Sequence, residues 1–255
     1  MKSSAPYRTN QRLPLNPGQS LDKGAGGEGD QRLVLRLSVN PRARRISIRI
    51  DAKSGEVVAV APSERRLSEA VAFARSKAGW IAERLEARAP CVPLEPGTVV
   101  SLHGREVRLE ATGTNGAARL TEDALGPVIR SGGEGVAFGR RVEALLKREA
   151  RTALIARTDH HLKTLGQKPV RVSIADTRSR WGSCSPHNRS IRYSWRVVLA
   201  PPAVLDYLAA HEVAHLVHAD HSPAYWSVVH RLVGDHRPFR AWLRANGQAL
   251  HVVGR

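Results

Sequence analysis

Pro201-Pro202-Ala203-Val204-Leu205-Asp206-Tyr207-Leu208-Ala209-Ala210-His211-Glu212-Val213-Ala214-His215 is the stretch on which the reading of this chain turns. Two prolines open it, and proline is tolerated in a first helical turn. Apolar residues recur at Val204, Leu205, Leu208 and Ala209, then at Val213, Leu216 and Val217, which is helical spacing. The pattern predicts a largely buried helix carrying His211 and His215 four residues apart. Residues so spaced lie one above the other on one face. Both imidazoles can then reach one Zn2+ at about 2.0–2.1 Å, with Glu212 placed beside a water on that metal. This HExxH arrangement is that of a zinc hydrolase whose glutamate is the general base. Two satisfied core histidines would be the simpler explanation. A glutamate between them in an apolar helix has none, because unpaired buried charge is costly.

Two histidines do not complete a catalytic zinc site, where three protein ligands and a water are usual. The downstream candidates are His218, Asp220, His221, His230, Asp235 and His236. His218 is three residues past His215, adjacent to the ligand face on a continuing helix. His221 is favoured, because it precedes Ser222-Pro223, where a new helix starts, and a ligand just after a turn can swing back. Asp220 is then either a carboxylate that orients a ligating histidine or a surface charge.

The run from His211 to His215 continues as Leu216-Val217-His218-Ala219-Asp220-His221-Ser222-Pro223-Ala224-Tyr225-Trp226. Upstream stands Arg180-Trp181-Gly182-Ser183-Cys184. Together these resemble the YgjP-like metallopeptidase domain family, which is grouped with the WLM and SprT-like zinc peptidases. The family pattern is HELxH, a gap of about five residues, His-Ser and an aromatic pair such as Phe-Trp. Arg42-Ala43-Arg44-Arg45-Ile46-Ser47-Ile48-Arg49-Ile50 resembles the family's basic first hairpin, and Ala78-Gly79-Trp80-Ile81 part of its tryptophan-containing helix. The resemblance extends over residues 31–250. It implies that His211, His215 and His221 are the metal ligands and Glu212 the catalytic carboxylate. Val213 stands where Leu is common, Asp220 where Asn is frequent and Tyr225 in place of Phe. None of these departures removes a ligand.

Forty basic against 23 acidic residues give a formal charge of +17 and a pI near 11.1. Arginine supplies nearly all of the excess, and its fork matches phosphate and carboxylate. Such a surface attracts polyanions, including nucleic acid and nucleotides, although a solvated arginine-rich face would read the same way. The two cysteines, Cys91 and Cys184, make neither a disulfide scaffold nor a cysteine zinc cluster. Cys184 reads as a small packing residue. The amino-terminal stretch has no apolar signal core and no window suits a membrane span, so a cytoplasmic protein is expected.

Residues 1–30 are rich in Gly, Pro, Ser and charge and read as a disordered tail. Residues 31–137 read as a β-rich region with one helix, and residues 138–255 as a zincin-like metal-binding hydrolase region. The first region alternates at Leu33–Leu37, Ile46–Ile50 and Val57–Val60, with a turn at Lys53-Ser54-Gly55, which predicts a small antiparallel sheet. Its outward face would carry Arg36, Arg42, Arg44 and Arg49. A helix follows over 68–88. A hairpin is expected from Val99–Leu102 to Glu106–Leu109 across His103-Gly104. Arg140 to Leu165 reads as a long helix closed by Gly166, with His160 and His161 on its surface. Strands are expected at Val170–Ile174 and Ile191–Trp195, a loop or short strand over 178–184, and two closing helices after 223 and 237. Trp181 and Trp195 read as core residues beside the site. The fold class is α+β.

The chemistry expected is hydrolysis of a peptide or protein substrate at one Zn2+ per chain, with other divalent metals able to serve. Arg180, Tyr193 and Tyr225 are candidates to stabilise the developing oxyanion. One alternative keeps the metal and hydrolyses nucleotides, as a nucleoside triphosphate pyrophosphatase does, with arginines on the phosphates. Another is a basic nucleic-acid-associated zinc protein.

Overall fold

The computed structural model describes residues 6–15, 33–51, 55–86, 91–177 and 180–254. Residues 1–5 and 16–30 of the expected tail, Lys53-Ser54 of the expected turn, Arg178 at the start of the 178–184 segment and Arg88 at the expected helix end lie outside them. The architecture is mixed α+β, with a β-rich amino-terminal part and helices towards the carboxyl end. The chain divides into two compact units, residues 1–88 and 89–255. Among the described residues no helix is long and apolar enough to cross a membrane.

In the first unit, strands β1 (Arg12–Leu15), β2 (Leu33–Val39), β3 (Ser47–Ile50) and β4 (Val57–Ala61) form one sheet in the order β1-β2-β4-β3. Strand β1 falls inside the segment that composition assigned to a tail. It pairs with β2 from Arg12↔Arg36 to Leu15↔Leu33, and Leu15 is buried. One buried leucine and a pairing edge outweigh the polar composition around it. The sheet is also not wholly antiparallel: β2 and β4 run parallel at its centre, and β3 returns to the edge. Burial of β4 on both faces goes with that central, parallel position. One cross-strand row holds Arg36, Val58 and Arg49, and Arg36 is paired with Glu56 at 2.8 Å.

The single helix expected over 68–88 is two, α1 (Leu67–Ser76) and α2 (Ala78–Glu86). Lys77 N–H donates to Ala74 rather than extending a regular ladder, and Gly79 weakens the helix just beyond. Val71, Ala74, Ala78 and Ile81 pack on Leu35, Leu37 and Ala59, while Phe73 and Trp80 face outward.

The second unit begins with β5 (Val99–Leu102), β6 (Arg105–Ala111), β7 (Arg119–Asp123) and β8 (Gly126–Ser131), in the order β5-β6-β8-β7. These strands, which the sequence pattern groups with the amino-terminal region, share a core with the helices that follow. The β5–β6 hairpin turns through His103 and Gly104, both at positive φ (52° and 74°), as a two-residue turn of this hand requires. Its tip buttresses the start of the central helix. His103 N–H donates to Val198 O at 2.7 Å, and a Cβ on Gly104 would lie 3.1 Å from Pro201 Cα.

The long helix α3 (Gly135–Thr164) starts five residues before its predicted position. Strands β9 (Arg171–Ala175), β10 (Gly182–Ser185) and β11 (Ser190–Ser194) form a second sheet in the order β10-β11-β9. A buried 3-10 turn, Trp195–Leu199, leads into α4 (Pro202–Ala214), followed by α5 (Pro223–Val233) and α6 (Arg237–His251). Within that turn Arg196 is buried, stacks on Trp195 at 4.3 Å, donates to Val253 O and pairs with Asp176.

Helices α3 and α4 are joined by a polar stitch. Asp206 Oδ1 accepts from Arg157 Nε at 2.6 Å and from His161 Nε2 at 2.7 Å. His161 is therefore not the surface residue expected from its sequence position but is wholly buried. Burial pushes the Asp206 carboxyl up, yet the hydrogen bonds from His161 and Arg157 outweigh it and hold the carboxyl below its ordinary value. A depressed acid stabilises the fold above its unfolded pKa of about 3.9 and loses that contribution as pH falls through the folded value. Asp206→Asn should therefore cost about 2 kcal/mol at pH 7 in denaturant unfolding. The gap to wild type should narrow below about pH 4, and a gap unchanged down to pH 2 would contradict the stitch.

Candidate metal centre

Helix α4 is apolar almost all round, and nine of its 13 residues are buried. Such a helix belongs in an interior. It carries His211 and Glu212 into that interior, and its last turn ends on His215. The chain then leaves the helix through Leu216–Asp220 and restarts at Ser222. There the Ser222 hydroxyl accepts from Tyr225 N–H and Pro223 occupies the first turn of α5, both ordinary starting signals. His221 sits immediately before this cap, turned back towards α4.

The three imidazoles converge. Ring centroids lie 5.1 Å apart for His211–His215, 5.1 Å for His211–His221 and 4.8 Å for His215–His221. One ring nitrogen from each lies within 4.8 Å of the other two. His211 Nε2 and His221 Nε2 are 3.4 Å apart. Two nitrogens bound tetrahedrally at about 2.0–2.1 Å from one Zn2+ would stand about 3.3–3.4 Å apart. His215 Nδ1 is 3.2 Å from His218 O. A carbonyl only accepts, so Nδ1 carries the proton and Nε2 keeps its lone pair, as a ligand requires. Burial, helped by the neighbouring histidines and Arg240, pushes His211 down to about 3, and burial lowers His215 as well. Both are thus neutral, the form that binds metal. The donor set fits zinc by identity and spacing.

Glu212 is only 4% exposed. Burial pushes its carboxyl up to about 8, while Arg180 pulls the other way. Its neighbour across the site is Gly182 on β10. A Cβ there would stand 2.3 Å from Glu212 Oε1 and 2.7 Å from its carboxyl carbon. Only glycine leaves room for the carboxyl at this spot. The preceding residue, Trp181, stacks on His251 at 4.1 Å, and its indole fills the space over Gly247 of α6. Its carbonyl accepts from Ser194 N–H at 2.8 Å. The segment that faces Glu212 is held from both sides.

Tyr225 braces the centre from α5. Its ring is buried, lies 4.6 Å from that of His215 and 4.8 Å from that of His221, and its hydroxyl donates to His211 O at 2.9 Å. Tyr193 is turned into the core, its hydroxyl 3.0 Å from that of Thr158. Both hydroxyls are engaged within the protein. Arg180 is exposed, and its charge acts on Glu212. Asp220 accepts from Ser222 N–H and so shapes the turn instead of binding a ligand histidine. His230 is exposed on α5, and His236 stacks on Trp226 at 4.5 Å. Cys184 is half-buried, and burial together with Glu212 pushes its thiol up to about 11, which makes it a poor nucleophile. Sequence reasoning missed the space-giving role of Gly182 and the cluster of Trp226, His236 and Arg240. Trp226 stood in the quoted motif, but nothing in the sequence brings α6 to it.

No curated protein matches the chain. Among solved structures, the crystal structure of the metallopeptidase zymogen of Pyrococcus abyssi abylysin is similar at 23% identity with a TM-score of 0.34. That match covers 37% of this chain and 93% of that one. The sequence model of the YgjP-like metallopeptidase domain matches residues 44–246, more than half of the chain, and the chain belongs to that family.

Proposed function

We propose that this chain is a zinc-dependent metallopeptidase in which His211, His215 and His221 hold one Zn2+ and Glu212 is the general base. On this reading residues 138–255 are a zincin-like hydrolase region with its HExxH motif at the end of a helix. The observation that carries the proposal is the meeting of three imidazole nitrogens within 4.8 Å beside a buried carboxyl. Zinc, when bound, supplies Lewis acidity, polarising a carbonyl oxygen and lowering the pKa of water to about 7.

The chain's own residues supply the proton handling. Glu212 accepts a proton from the attacking water and passes it to the leaving amine. Its raised affinity for protons suits both halves of that task. Gly182 leaves the carboxyl the space in which to do it. Tyr225 fixes His211 through the backbone, and His218 O fixes the tautomer of His215. Arg180 is the sequence candidate whose position suits a developing negative charge, since Tyr193 and Tyr225 have their hydroxyls engaged. The nucleotide alternative has no observation of its own in its favour: it rests on the same histidine trio and on the positive charge.

Glu212→Gln should keep its zinc and lose about 10²–10⁴-fold in kcat/KM on a cleaved peptide. Full activity with zinc retained would remove Glu212 from its role. The base works only when deprotonated, so activity should rise with pH through its pKa. A bound dication lowers that pKa from the metal-free value of about 8. The rising limb is therefore expected between about pH 5 and 8; a flat profile across that range would count against this assignment. Gly182→Ala should retain zinc yet lower kcat by at least about tenfold, since the carboxyl must move to admit the methyl group; unchanged kcat would show that the close approach is unimportant.

A further inference from the structure

Beside the histidines lies a group with no part in the proposal above. The ring of Trp226, on α5, has its centroid 6.0 Å from that of His211 and 5.7 Å from that of His221. His236 stacks on it at 4.5 Å and 12°. Arg240 lies one helical turn beyond His236 on α6, and its Cζ is 5.2 Å from the Trp226 centroid, within cation–π range. The charge of Arg240 also reaches His211 and Tyr207.

Arg240 is exposed and forms no ion pair among the described residues. Its neighbour Arg237, by contrast, is matched by both oxygens of Asp235. An arginine seated on an aromatic ring has its fork partly oriented before any ligand arrives, which favours bidentate capture of a carboxylate. It stands on the His211 side of the centre, whereas the charge of Arg180 acts on Glu212. The two cations therefore act on different groups of the centre.

We propose that Arg240, seated over Trp226 beside His211, anchors a carboxylate of the peptide substrate, so that the site selects acidic peptides. The proposal rests on the peptidase reading and names its substrate class. The formal charge of +17 acts in the same direction, raising the encounter rate with acidic chains. The carboxylate can belong to an Asp or Glu side chain or to the peptide's own carboxyl end.

The test uses the zinc-loaded Glu212→Gln protein, with and without Arg240→Gln, and three short peptides of one length. One carries an internal Glu and an amidated end, the second has Gln in its place with the same amide, and the third has Gln with a free carboxyl end. The Glu peptide should bind about tenfold tighter than the neutral one if a side chain is anchored, and the free-acid peptide tighter if the terminus is. In either case Arg240→Gln should erase the gap and leave the neutral peptide's affinity unchanged. Equal binding of all three peptides, or an equal loss for acidic and neutral peptides in the variant, would overturn the anchor. Cleavage of the same peptides by the protein with Glu212 intact separates the two claims. A carboxylate preference in binding without any cleavage would sustain the anchor and sink the peptidase reading. Cleavage without preference would sink the anchor alone.

Discussion

A carboxyl group buried between an apolar helix and a strand is the constraint around which the second unit is organised. Glu212 is 4% exposed on a helix that is buried on nearly every side. An ionised group there is costly unless opposite charge compensates it. Arg180 acts on it from an exposed position, and burial still wins, leaving the carboxyl pushed up to about 8. Three imidazoles next to it offer an answer to the same problem, because they are a donor set that could hold a dication. The carboxyl and the histidines make sense together and poorly apart.

The rest of the unit holds this arrangement still. The β5–β6 hairpin tip meets Pro201 where α4 begins. Asp206 ties the middle of α4 to α3 through Arg157 and His161. Tyr225 of α5 reaches back to the carbonyl of His211. On the far side, Gly182 gives Glu212 its space, and Trp181 locks that strand against α6. Each contact comes from a different element, so the geometry of the centre depends on the packing of the whole unit. Ligands held by rigid elements and oriented by hydrogen bonds of their own are what a precise metal site needs.

Much of this was legible in the sequence because it is local. Helical spacing from Val204 to Val217 placed His211 and His215 on one face, and Ser222-Pro223 marked the restart that brings His221 round. The β5–β6 hairpin followed from His103-Gly104 between two alternating runs. What escaped depends on distant partners. The unbroken apolar run of β4 goes with its central, parallel position, but nothing in it names β2 as the partner, and β1 was hidden by the polar composition around four residues. His161 looks exposed until α4 supplies Asp206. The partners of the Tyr193 and Tyr225 hydroxyls, Thr158 and the His211 carbonyl, are not written in the sequence, which gives proximity to the motif and not the direction of a hydroxyl. Gly182 was visible as part of a motif, but its reason, the carboxyl of a residue 30 positions later, exists only in the fold.

The central claim is that His211, His215 and His221 hold one metal ion, and elemental analysis tests it most directly. Protein purified without added metal should carry about one zinc per chain, and the His215→Ala variant, folded by circular dichroism, should carry close to none. Absence of zinc from the unaltered protein, with no uptake when zinc is supplied, would contradict the account. Equal zinc in protein and variant would contradict it as well.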